Sequence, residues 1–157
     1  MKTLKIFLTI LISAILIPDK SMAQLKASST GNDEMTASQY YEKSKSLNDL
    51  MKGVSLSFRS TATTDDKRLL KQFEKIRKLA ASVLGARTEQ SRSDMGQQLQ
   101  LALQESNNIA KLRLTGKITL FPNDCYDQCD DQVESGAAWN EFFCVFKCFK
   151  AATVNFD

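Results

Sequence analysis

Apolar positions in this 157-residue chain recur at helical rather than strand spacing over most of its length. Tyr40, Leu47, Leu50, Met51, Val54 and Phe58 follow a 3.6-residue period and predict a first helix. Thr36 and Gln39 offer a capping box at its start. Gly53 is a weak point within it, costing about 1 kcal/mol against Ala. After a turn over residues 61–66, Thr64 can cap a second helix, with Asp65 and Asp66 suited to the positive end of its dipole. This helix is the most clearly amphipathic. Leu69, Phe73, Ile76, Ala80, Val83 and Leu84 form its apolar stripe, and Lys67, Arg68, Lys71, Lys75 and Lys78 lie opposite. A third helix, capped by Ser91 or Ser93 and running to about Leu114, has a thinner stripe: Met95, Leu99, Ala102, Leu103, Ile109 and Leu112, interrupted by Ser106. Gly116 suits the left-handed position after it. Residues 117–121 (KITLF) read as extended, and Pro122 closes them. With no strand pattern elsewhere, the fold class is all-α.

All four cysteines fall between Cys125 and Cys148, as two CxxxC pairs. A short helix capped by Asn123 or Asp124 would place Cys125 and Cys129 on one face. Ser135-Gly136 makes a turn, and a second helix from Ala137 to about Ala152 does the same for Cys144 and Cys148. Antiparallel helices then pair the far ends together and the near ends together. This predicts the nested bridges Cys125–Cys148 and Cys129–Cys144 among the three connectivities that four cysteines allow. Closing the inner loop contributes about 3 kcal/mol by chain entropy. A thioredoxin-type site needs CxxC, covalent haem needs CxxCH, and the chain has no histidine. Four-thiolate zinc tolerates the spacing, but cysteines in an oxidising compartment pair with one another, so the expectation is two structural disulfides and no metal.

The pattern of Cys125, Cys129, Cys144 and Cys148 resembles the α-hairpinins, small disulfide-stapled helical hairpins of plant defence peptides and protease inhibitors. The resemblance covers residues 125–148 and implies a hairpin-type inhibitor as one function. Trypsin-directed members look to carry a basic residue near the hairpin cysteines. The spacer here, DDQVESGAAWNEFF, has neither Lys nor Arg, so trypsin is not the implied target.

On the second hairpin helix, Trp139, Phe142, Phe146 and Phe149 gather on the side roughly opposite the cysteines, with Phe143 at the edge. Two readings follow. In one the aromatic side packs onto the bundle and completes its core. In the other it is an exposed anchor for a partner or membrane. On the first hairpin helix, Asp127, Asp130, Asp131 and Glu134 point away from the cysteines. They are a candidate counterpart for the basic helix, worth only about 0–1 kcal/mol per exposed pair. Asp124, Asp127, Asp131 and Glu134 also supply hard oxygens, but without the spacing of a calcium loop.

The N-terminus changes how charge and compartment are read. Lys2 and Lys5 precede an apolar run over residues 6–17, Pro18 breaks it, and Ser21-Met22-Ala23 places small residues where a signal peptidase cuts. The expectation is a cleaved leader over residues 1–23, without a lipobox cysteine, and a mature chain beginning at Gln24. Loss of Lys2, Lys5, Lys20 and Asp19 lowers the formal charge from +3 to about +1. That near-neutral balance, with export, argues against nucleic acid. Residues 24–35 read as a flexible lead-in, 36–116 as the bundle and 117–157 as the stapled hairpin packed upon it.

Catalysis finds little to work with: no histidine, no nucleophile motif and no phosphate or dinucleotide loop. The sequence therefore points to an exported, non-catalytic helical protein, without cofactor, that binds or shields a protein partner in the periplasm or outside the cell. The candidate contact surfaces are the basic face of the second helix (Lys67, Arg68, Lys71, Lys75, Lys78) and the aromatic face (Trp139, Phe142, Phe146, Phe149). The same two surfaces also suit an anionic membrane.

Overall fold

A computed structural model describes residues 35–56, 62–120, 123–129 and 137–154. All belong to one unit, Asp33–Asp157. The leader, Phe58, Pro122, Asp130, Asp131, Glu134 and the Ser135-Gly136 turn lie outside the described residues. Among those described, every regular element is helical: α1 (Ala37–Met51), α2 (Thr64–Gly85), α3 (Glu89–Ala110) continued by a 3-10 turn (Lys111–Thr115), α4 (Asn123–Asp127) and α5 (Ala138–Val154).

The helix starts follow side-chain capping. Thr36 and Gln39 form a reciprocal capping box on α1. On α2 the cap is Thr63, one residue before the expected Thr64, because Asp66 completes a second box with it. Thr88 caps α3, so this helix starts before the expected Ser91 or Ser93. α1 stops at Met51 rather than continuing through Gly53, which adopts φ 74° just beyond the helix. Gly116, at φ 71°, closes the 3-10 turn in the left-handed conformation expected there.

α1, α2 and α3 pack pairwise, and α5 lies mainly on α3. The core is continuous across them, from Leu47 and Met51 through Leu69, Ile76 and Val83 to Leu99 and Leu103, and into α5. Its centre is aromatic. The Phe73 ring of α2 meets Phe142, Phe146 and Phe149 of α5 edge-on, at centroid distances of 5.6, 5.1 and 5.1 Å. Ser106, which interrupts the α3 stripe in sequence, is fully buried, and Asn107 donates from Nδ2 to the Ala138 carbonyl at 3.0 Å. Asn107, next to the interruption, marks where α3 meets the start of α5.

α1 and α3 approach closely at a glycine. A Cβ at Gly96 of α3 would lie 2.2 Å from Tyr40 Cγ of α1. Tyr40 is held in place at its far end, where its hydroxyl donates to Gln100 Oε1 at 3.1 Å. Gly96→Ala gains roughly 1 kcal/mol of helix propensity but forces the base of a buried ring to move. We expect a net destabilisation of about 1–3 kcal/mol in urea unfolding. A variant as stable as the parent or more so would show that α1 and α3 are not packed in this way.

Candidate interaction surface

The two disulfides join Cys125 to Cys148 and Cys129 to Cys144, with Cα separations of 5.7 and 5.8 Å. The first hairpin helix is shorter than its sequence suggests. α4 ends at Asp127, and Cys129 sits in the following turn, its amide donating to the Tyr126 carbonyl at 2.7 Å. A single turn still brings both sulfurs to the same side, so the nested pairing does not need a long helix.

With its cysteine side held by α4, α5 turns its aromatic side into the bundle. Phe142 and Phe146 are fully buried, Phe149 is 2% exposed and Trp139 4%. These four residues are core and cannot be a contact surface. This corrects the exposed-anchor reading of Trp139, Phe142, Phe146 and Phe149. The physical reason is that Phe73 and the α3 stripe lack enough apolar cover without them. Lys43 of α1 seals the outer edge, its ammonium 5.7 Å from the Trp139 ring centroid.

The basic residues of α2 stand differently. Lys67, Arg68, Lys71, Lys75 and Lys78 are all exposed. At about 100° per residue they share roughly a 100° arc, and they extend about 16 Å along the helix. Glu105 of α3 reaches the middle of this ridge. It lies 3.9 Å from Arg68 Nη2 and 3.8 Å from Lys75 Nζ, and accepts from Gln72 Nε2 at 3.1 Å. Lys78 pairs with Glu74 one turn back at 2.9 Å, and that hydrogen bond and charge hold the Glu74 carboxyl below its usual 4.5. Lys67 and Lys71 have no ion-pair partner among the described residues. Among the described residues five cations thus meet two carboxylates, which leaves the ridge net positive.

The acidic hairpin face does not neutralise it through Asp127. That carboxylate pairs instead with Arg113 of the 3-10 turn at 3.2 Å. Arg113 is 5% exposed, and its guanidinium lies 3.5 Å from the centroid of the buried Tyr126 ring. It clamps α4 to the end of α3 by stacking and charge together. Sequence reasoning missed this residue. Its only signal was an arginine placed among Leu112, Leu114 and the turn glycine.

Asp66 is the other residue whose role was undervalued. Expected as a dipole partner, it is fully buried and ties the start of α2 to the segment after the 3-10 turn. Its carboxylate accepts from Thr119 N at 2.7 Å, Thr119 Oγ1 at 2.6 Å and Thr63 N at 2.9 Å. Thr63 Oγ1 in turn donates to the Lys117 carbonyl at 2.6 Å. The described part of the run expected to be extended, residues 117–120, is thereby anchored without a strand partner among the described residues, and Ile118 is buried.

Elsewhere the surface offers little chemistry. A shallow, open hollow at the α2–α3 turn is lined by Ser82, Arg87, Thr88, Ser91 and Met95 among others. Among the described residues, no group of three or more acidic or cysteine side chains is placed to hold a metal ion. No helix among them is long and apolar enough to cross a membrane. Comparison with protein-family models, curated proteins and solved structures finds no match to the chain.

The Asp66 junction makes a pH prediction. Burial alone would raise its pKa, but the hydrogen bonds from Thr119 and Thr63 outweigh burial and hold it below 3.8. A depressed carboxyl contributes stability that is present above its unfolded value and lost as pH falls through the folded one. Asp66→Asn is therefore expected to cost about 2 kcal/mol at neutral pH and less in acid. Thermal melts of parent and variant should converge below pH 3.8. A gap that stays constant with pH would show that the carboxylate charge is not what the junction uses.

Proposed function

We propose that this is an exported, non-catalytic helical protein that binds an acidic protein partner through the ridge of Lys67, Arg68, Lys71, Lys75 and Lys78. The observation that carries the reading is the exposure of all five cations on one face of α2 with two carboxylates among them. Cations held on a rigid helix steer an acidic partner and set its register more than they add affinity. Export is supported by the leader pattern before Gln24 and by two disulfides, which persist in oxidising compartments.

The membrane alternative loses support from the burial of the aromatic face. An interfacial helix needs an apolar side in the bilayer as well as basic residues in the headgroups. α2 has its apolar side, Leu69, Phe73, Ile76 and Val83, inside the protein. What α2 itself keeps toward a lipid surface is electrostatic attraction.

Amine-reactive cross-linking in the protein's own secretory compartment tests the proposal. The mature mass should begin at Gln24 and be four hydrogens light. Cross-links to a protein should concentrate at Lys67, Lys71, Lys75 and Lys78 rather than at Lys45 or Lys147, and should vanish in about 1 M salt, where the Debye length is ~3 Å. Lys67→Glu with Lys71→Glu should weaken binding at least tenfold, about 1.4 kcal/mol. Cross-links spread evenly over the surface, or binding only to anionic vesicles, would overturn the proposal.

A further inference from the structure

The two disulfides touch each other, and they touch through particular sulfurs. Cys129 Sγ and Cys148 Sγ, from different bridges, lie 4.0 Å apart. Both sulfurs are bonded, so neither carries a proton and the contact is between bridges. Cys129 and Cys148 are also the two buried cysteines, at 0% and 1% exposure. Cys125 and Cys144 are only partly buried. Each bridge therefore joins a partly buried cysteine to a fully buried one, and the sulfurs of the two buried cysteines are neighbours.

We infer that the four cysteines act as a two-electron acceptor for small external thiols, by an exchange that converges on one product. An external thiolate can reach only Cys125 or Cys144. Attack at Cys125 Sγ forms a mixed disulfide and releases the Cys148 thiolate. That thiolate attacks Cys129 Sγ beside it, forming Cys129–Cys148 and releasing the Cys144 thiolate. Attack at Cys144 Sγ instead releases Cys129, which attacks Cys148 Sγ, forms the same Cys129–Cys148 bond and releases Cys125. In either case a second external thiolate attacks the external sulfur of the mixed disulfide and frees the last protein thiolate. Two external thiolates become one external disulfide, and the protein gains two electrons as thiolates at Cys125 and Cys144.

The half-reduced protein keeps a bridge between the turn after α4 and α5, and it keeps that bridge in the interior. It also presents two thiols at the partly exposed positions, ready for the reverse exchange with a disulfide substrate. Because thiolates are the attacking species, the exchange accelerates as pH rises toward the thiol pKa. The inference makes no use of the basic ridge and stands or falls apart from the partner proposal.

The test uses the full oxidised protein equilibrated in glutathione mixtures of rising reducing strength, quenched with acid and alkylated. Cleavage after Asp127, Glu141 and Lys147 puts the four cysteines on separate peptides. The expected intermediate carries two labels, on Cys125 and Cys144, with Cys129 linked to Cys148. Labels on both partners of one original bridge, or passage straight from no labels to four, would overturn the inference. The double variant Cys125→Ser/Cys144→Ser provides a second reading. It should close a Cys129–Cys148 bridge in oxidised glutathione. Two thiols that stay free there would mean the interior sulfurs cannot bond.

Discussion

Edge-to-face contact of the Phe73 ring with Phe142, Phe146 and Phe149 joins the bundle to the hairpin, and the remaining architecture depends on that contact. Each such pair adds about 0.5–1.5 kcal/mol beyond the area it buries. The four rings sit where α1, α2 and α3 would otherwise leave an apolar opening. α5 is fixed from two sides. The bridges hold its cysteine side against α4, and the rings hold the other side against Phe73. Neither constraint alone sets the rotation of α5 about its axis, but together they leave no freedom to expose the aromatic side. Asn107 to the Ala138 carbonyl and Lys111 to Glu141 at 3.4 Å complete the seam with α3.

That choice of core decides which surface remains for function. With the rings inside, α2 presents charge outside, above its own buried stripe. Glu105 is central to this surface because it comes from α3 and yet sits between Arg68 and Lys75. It orients those two side chains, while Lys67 and Lys71 have no ion-pair partner among the described residues. Exposed pairs at such distances contribute little to stability, so the ridge is better understood as a shaped electrostatic surface than as a structural brace.

The three bundle helices were legible because their stripes follow one period and their caps follow one local chemistry. The errors were local too. Thr63 rather than Thr64 caps α2 because Asp66 completes a reciprocal box, and α1 ends at Met51, short of Gly53, whose positive φ suits glycine. The cysteine spacing was enough to specify nested pairs. Less legible were the residues whose role depends on distant partners. Nothing near Asp66 in sequence announces Thr119, and nothing near Arg113 announces the Tyr126 ring. Ser106 looked like a flaw in a stripe, yet it is fully buried beside Asn107, which meets the start of α5. For the aromatic face, periodicity identifies the side but not its cover, which only the packing of Phe73 supplies.

Trp139 is the chain's single tryptophan, which makes the burial of that face directly measurable in the native protein. Emission of the folded protein, recorded with increasing acrylamide and iodide, reports how far water and solute reach the indole. The account predicts blue-shifted emission, strong protection from both quenchers, and loss of that protection only on global unfolding. Emission and quenching in the native state like those of a free tryptophan would contradict it, because the aromatic face would then be a surface and the core described here would lack its centre.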